Sequence, residues 1–120
     1  MKTCLKKCML LMVVSFVTGC AMQSQFYHLG EKYPPTPESV VIELFWDDMP
    51  SRKFIKISRL DVHIENTHFV SASFADALPE LKRQARLSGA HAITNIRESS
   101  SSMGETRIYH VTATGVRYLK

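Results

Sequence analysis

Residues 8 to 19, CMLLMVVSFVTG, carry no charged side chain and lie between Lys2, Lys6 and Lys7 on one side and Cys20 on the other. A bilayer-spanning helix needs roughly 20 apolar residues, so this run is too short to span. Its order, basic stretch then apolar stretch then small residues, is that of an export signal. The signal takes residues 1–19 out of the folding problem and leaves room for one small domain of roughly 100 residues. The charge balance changes with it. The chain has fifteen Lys and Arg against eleven Asp and Glu, a formal +4, but three of the lysines belong to the leader. The remaining twelve against eleven leave no electrostatic footprint for a phosphate backbone, and no nucleic-acid partner is expected.

The signal ends in VTGC, residues 17–20: a branched apolar residue, a small residue, Gly, then Cys. This resembles the lipobox of bacterial lipoproteins. The resemblance implies that the Cys20 thiol is diacylated, that the leader is cut just before it, and that the new amine is acylated in turn. One acyl chain binds a membrane only marginally, whereas two or three hold a soluble domain there permanently. The alternative is a plain secretory signal whose cleavage site falls beside a cysteine by chance. The three cysteines stand at positions 4, 8 and 20. The first two leave with the leader, so the mature domain has no disulfide and must fold on its core alone. Ala21 follows where Asp would, by the same resemblance, favour the inner membrane. The expected location is therefore the outer membrane, facing the periplasm.

Residues 21–38, AMQSQFYHLGEKYPPTPE, hold three prolines and one glycine with no sustained period. They read, with Cys20, as a flexible tether that extends to roughly 55 Å at about 3.3 Å per residue. The folded region is expected over residues 39–120. Residues 39–46, SVVIELFW, alternate as a strand with Val40, Ile42, Leu44 and Trp46 on one face, and DDMPS supplies a turn. In the second strand, residues 53–65, the apolar set shifts from Ile55 and Ile57 to Leu60, Val62 and Ile64, which predicts a bulge near Ser58 and Arg59. Phe74, Leu78, Leu81 and Ala85 recur at helical spacing. With Asp76 as N-cap, Pro79 falls where no intrahelical amide is needed, and Gly89 takes the left-handed position that ends the helix. A strand follows from Ala90, then SSSSMG as a mobile polar loop, then a long closing strand from Thr106. The expectation is an α+β domain, β-β-α-β-β, with one helix on a mostly antiparallel sheet.

ARLSGAHAITNIR, residues 85–97, and TATGVRY, residues 112–118, resemble the RcsF and YbjQ-like family of small bacterial envelope and cytosolic domains. The shared pattern is a helix, Ala, three residues, Gly-Ala with Asn or Asp next, then Ala and an apolar strand; His91 occupies the Asn/Asp position. The pattern has a physical basis: small Ala85, Ala90 and Ala92 let helix and sheet approach closely, and Gly89 allows the reversal between them. The resemblance spans residues 37–118 and implies a role in envelope stress signalling.

No nucleophile elbow, zinc-protease, P-loop or dinucleotide fingerprint occurs, so no catalysis and no cofactor are expected. His63, His68, His91, His110, Asp47, Asp48 and Asp61 form no recognisable constellation in sequence. A binding, sensing or scaffolding module is the leading reading, with Arg52, Lys53, Lys56 and Arg59 as candidate contacts for an acidic envelope protein; a charged, solvated strand edge explains them equally well. The second reading is a periplasmic metal-binding lipoprotein using His63 and His110, on strands that could be neighbours. It lacks the tight ligand spacing of a closed site.

Overall fold

The computed structural model describes residues 20–120, so the expected leader, with Lys2, Lys6 and Lys7, lies outside the described residues. The elements run β1 (Cys20–His28), β2 (Glu43–Leu44), β3 (Phe54–Asn66), α1 (Phe74–Ser88), β4 (Ala92–Met103) and β5 (Thr106–Tyr118). They form a five-stranded sheet in the order β1-β3-β5-β4-β2, antiparallel except for the short β2–β4 pair. The expected α+β architecture stands, with an additional strand at the front.

That strand corrects the tether. β1 begins at Cys20 itself and pairs with β3 over its whole length, Cys20 opposite Asn66 and His28 opposite Ser58. The rest of the presumed linker is strapped across the end of the helix. Thr36 donates its amide to the Arg86 carbonyl (2.8 Å) and its hydroxyl to the Ala90 carbonyl (2.7 Å). The Arg86 guanidinium in turn donates to the Pro37 and Val40 carbonyls. Backbone groups that water would satisfy in a linker are satisfied here by the domain.

β3 carries the predicted irregularity: its register with β5 shifts between Lys56 and Ser58, so Ile57 is the bulged residue. Beyond it Leu60, Val62 and Ile64 face the helix, joined by Val111 and Ala113 of β5 and Ile93 of β4. The buried helix face is Ala77, Leu81, Gln84, Ala85 and Ser88. Gln84 is fully buried and fully used, accepting from the Asp61 amide at 3.0 Å and donating to the Asp61 carbonyl at 2.8 Å and to Ser24. A buried amide with all its groups paired pins α1 in one register on β3.

Three further expectations give way. The N-cap is Ser73, and Asp76 is the third helical residue, its carboxylate accepting from the Ser73 amide at 2.8 Å. Pro79 therefore sits inside the helix; the carbonyl it leaves unpaired, one turn earlier, belongs to exposed Ala75, where solvent serves it. The serine run is not a loop but the second half of β4, paired from Ser99 opposite His110 to Met103 opposite Thr106. The reversal is only Gly104 and Glu105, with Gly104 at φ +57°, as a tight hairpin demands at the first turn position. Lastly, residues 39–46 contribute only two residues of strand; of the expected face, Ile42 is buried and Val40 and Leu44 half-buried, but Trp46 is exposed.

Candidate functional site

Ala85 and Ala90 are fully buried, as the close approach of helix to sheet requires, and Gly89 ends α1 at φ +85°. The Gly89 carbonyl accepts from Arg117 at 2.9 Å. That bond holds the guanidinium over the Tyr33 ring, 4.9 Å from its centroid. Around this turn the ends of β3 and β5 and the strap leave a cleft lined by Tyr33, Val41, Arg52, His91, Arg117 and Tyr118.

Two guanidinium groups and an imidazole converge there on aromatic rings. Arg52 lies 4.2 Å from the Tyr118 centroid, and His91 stacks on the same ring at 5.6 Å. The Tyr118 amide donates to His91 Nδ1 at 3.0 Å. An amide can only donate, so Nδ1 holds a lone pair and the ring proton is on Nε2. Burial, first, and the positive charges of Arg117 and Arg52 push the His91 pKa down, in agreement with a neutral ring. The Tyr118 hydroxyl donates to Glu43 at 3.0 Å; burial and that carboxylate push its pKa up to about 12. The cleft is thus a donor-rich, cationic and aromatic surface, suited to a carboxylate.

The state of His91 has a measurable consequence. In the unfolded chain the imidazole takes up a proton near its ordinary 6.5, and in the fold only at lower pH. Between those values the unfolded state binds more protons, so the stability that neutral His91 contributes is complete above about pH 6.5 and is lost as pH falls. Asn at this position keeps an acceptor for the Tyr118 amide but cannot titrate. Thermal unfolding midpoints measured from about pH 7.5 to about pH 5.5 should fall further for the native chain than for His91→Asn. Parallel curves would show that His91 is not held neutral.

The four basic residues singled out in the sequence do not act together. Arg52 belongs to the cleft, with Lys53 beside it at the start of β3, its carbonyl accepting from the Leu119 amide. Lys56 and Arg59 are exposed, opposite Val116 and Thr114, on the sheet face turned away from α1. Arg117, His91 and Tyr118 complete the cleft and were not among the predicted contacts. The alternation of RY with GV at the end of TATGVRY was the only local hint that an arginine and a tyrosine flank the sheet end.

His63 and His110 are direct cross-strand partners, with ring centroids 5.6 Å apart. Each imidazole is engaged by a carboxylate, His110 with Asp61 at 2.8 Å and His63 with Glu65 at 2.9 Å. Gln23 and Gln25 of β1 flank them in a shallow depression. His68 is exposed at the far end of β3, beside Glu105, and His91 is occupied in the cleft. Among the described residues, no three His, Cys, Asp or Glu side chains gather in a geometry that could hold a metal ion.

Cys20 and the cleft stand at opposite ends of the sheet. Cys20 is level with Asn66 and Arg107, whereas Ile55 and Arg117 sit beside the cleft. Eleven residues of β3 separate the levels, about 36 Å at 3.3 Å per residue. No family model, curated protein or solved structure matches this chain.

Proposed function

We propose that the protein is a lipid-anchored envelope lipoprotein, held through acyl chains on Cys20 and facing the periplasm, and that it acts as a non-catalytic binding module. The observation that carries this reading is the polarity of the sheet. The residue that closes the lipobox-like VTGC starts the first strand at one end, and the cationic, aromatic cleft opens at the other. An anchor so placed presents the cleft some 36 Å from the bilayer, to envelope components beyond the head groups. Arg52 and Arg117 are held over tyrosine rings, so their donors are ordered before a partner arrives. An acidic segment of an envelope protein has the complementary charge. The likeness to RcsF and YbjQ-like domains in residues 85–97 supports a sensing role in envelope stress.

A photo-crosslinking residue at Val41, which is 78% exposed on the cleft rim, tests this in living cells. The expected result is a discrete adduct that weakens at least about fivefold in Arg52→Glu, the cost of reversing one ordered charge contact. No adduct, or one indifferent to Arg52→Glu, would reject the binding-module reading.

The second reading, a periplasmic metal-binding lipoprotein, is favoured by a single observation, the side-by-side placement of His63 and His110. Glu65 and Asp61 engage Nε2 of the two rings, which leaves each Nδ1 as the nitrogen that would bind a metal.

A further inference from the structure

At the Cys20 end of the sheet, four large apolar side chains stand in solvent: Met22 is 50% exposed, Phe69 62%, Val70 53% and Met103 73%. They come from three separate segments. Met22 lies two residues into β1, Met103 closes β4 beside the hairpin turn, and Phe69 and Val70 lie in the connection from β3 to α1. The register brings the segments together, since Cys20 is opposite Asn66, Asn66 opposite Arg107, and Arg107 opposite Ser102.

The connection is tied down. The Phe69 amide donates to the Glu105 carbonyl at 2.8 Å, and the Arg107 guanidinium lies 4.8 Å from the Phe69 ring centroid. His68 and Phe69 both take positive φ, 55° and 60°, a conformation that bulky residues rarely adopt. A fixed loop therefore holds these side chains outward, where a mobile one could fold them back on the core.

The geometry points to this end as a membrane-contacting tip, with Met22, Phe69, Val70 and Met103 seated among the lipid acyl chains and head groups. The inference rests on acylation of Cys20, as proposed above. Because the first strand is in its ladder from Cys20 onward, no slack chain separates the acyl group from the sheet. The bilayer then meets the level of Asn66 and Arg107, and a lipid surface is the occupant that the attachment point places against these apolar side chains. Phe and Met rest readily in that interface, and Arg107 can extend its guanidinium to lipid phosphates.

The full processed chain provides a clean test, because residues 21–120 contain no cysteine and a single introduced thiol is the only one free once Cys20 is acylated. Phe69→Cys and Met103→Cys report on the tip and Val41→Cys on the opposite end. Each variant, labelled with an environment-sensitive dye, is reconstituted in phosphatidylethanolamine and phosphatidylglycerol vesicles that carry nitroxide lipid. Quenching at positions 69 and 103 should exceed that at 41 at least about threefold, since nitroxide quenching is short-ranged and β3 separates the ends by about 36 Å. Mass measurement of the same samples reports the acyl chains. An acylated chain quenched equally at all three positions overturns the tip and leaves the lipoprotein reading intact. A chain without acyl groups overturns both. Dye–dye contact that rises with protein density at positions 69 and 103, without lipid quenching, overturns the tip in favour of a second copy of the chain.

Discussion

Replacing Gly89 by alanine is expected to destabilise the domain by about 2–5 kcal/mol. Two costs combine. An L-residue at φ +85° gives up roughly 1–2 kcal/mol in the left-handed region. A Cβ at this position would also stand 2.7 Å from the Pro34 carbonyl oxygen and 2.7 Å from Tyr33 Cβ. Those atoms belong to the strap, which Thr36 and Arg86 hold in place, so relief requires loosening it; overpacking of this kind costs about 1–3 kcal/mol. Gly104 supplies the control. It too has positive φ, but a Cβ there meets nothing within 4 Å, so Gly104→Ala should cost only the conformational part, roughly 1 kcal/mol. In urea unfolding, Gly89→Ala and Gly89→Val should both fall well below Gly104→Ala. Gly89→Asn should recover only the part due to φ, because Asn carries the same clashing Cβ. The sequence alone suggests a milder Asn, on backbone preference; the strap removes most of that advantage. Equal loss at positions 89 and 104 would mean that the strap does not close on the helix end.

The elements with strong apolar periodicity were legible in the sequence. The β3 bulge showed itself because the bulged residue moves the apolar set from odd to even positions, and the helix end because only glycine suits the turn after Ser88. The first strand hid for a complementary reason. Its helix-facing residues include Ser24 and His28 as well as Met22 and Phe26, so no apolar alternation survives, and Ser24 is satisfied by Glu80 and Gln84. Its pairing depends on partners thirty or more residues away in sequence. The second half of β4 hid in the same manner, since four serines carry no strand preference and are held there by β5 across a two-residue turn. Arg52 was visible as a charge, but the cleft needs Arg117 from β5 and His91 from the turn before β4. Only the return of β5 to the helix end assembles them.

Replacing Cys20 by alanine is expected to abolish fatty-acid incorporation and to remove the mature-size species from the membrane fraction altogether. In lipoproteins of the kind that VTGC resembles, the cysteine thiol is the acyl acceptor and its acylation precedes cleavage of the leader. One acyl chain alone binds only marginally, and two or three together hold a domain at the membrane, so their loss leaves the mature domain no comparable hold. The apolar tip cannot replace it, because four partly exposed side chains at about 1.5–3 kcal/mol each for full burial reach only a reversible association. The fold supplies the control that separates anchoring from folding. The position-20 pairing with Asn66 is made by backbone groups, and alanine retains them. The thermal midpoint of residues 20–120 carrying Cys20→Ala should therefore match that of the unacylated native sequence, within the roughly 0.5 kcal/mol typical of neutral surface changes. Label and membrane attachment that persist at mature size in Cys20→Ala would dismiss the lipoprotein reading. Loss of attachment together with a large drop in stability would assign the effect to β1 and leave the anchor elsewhere.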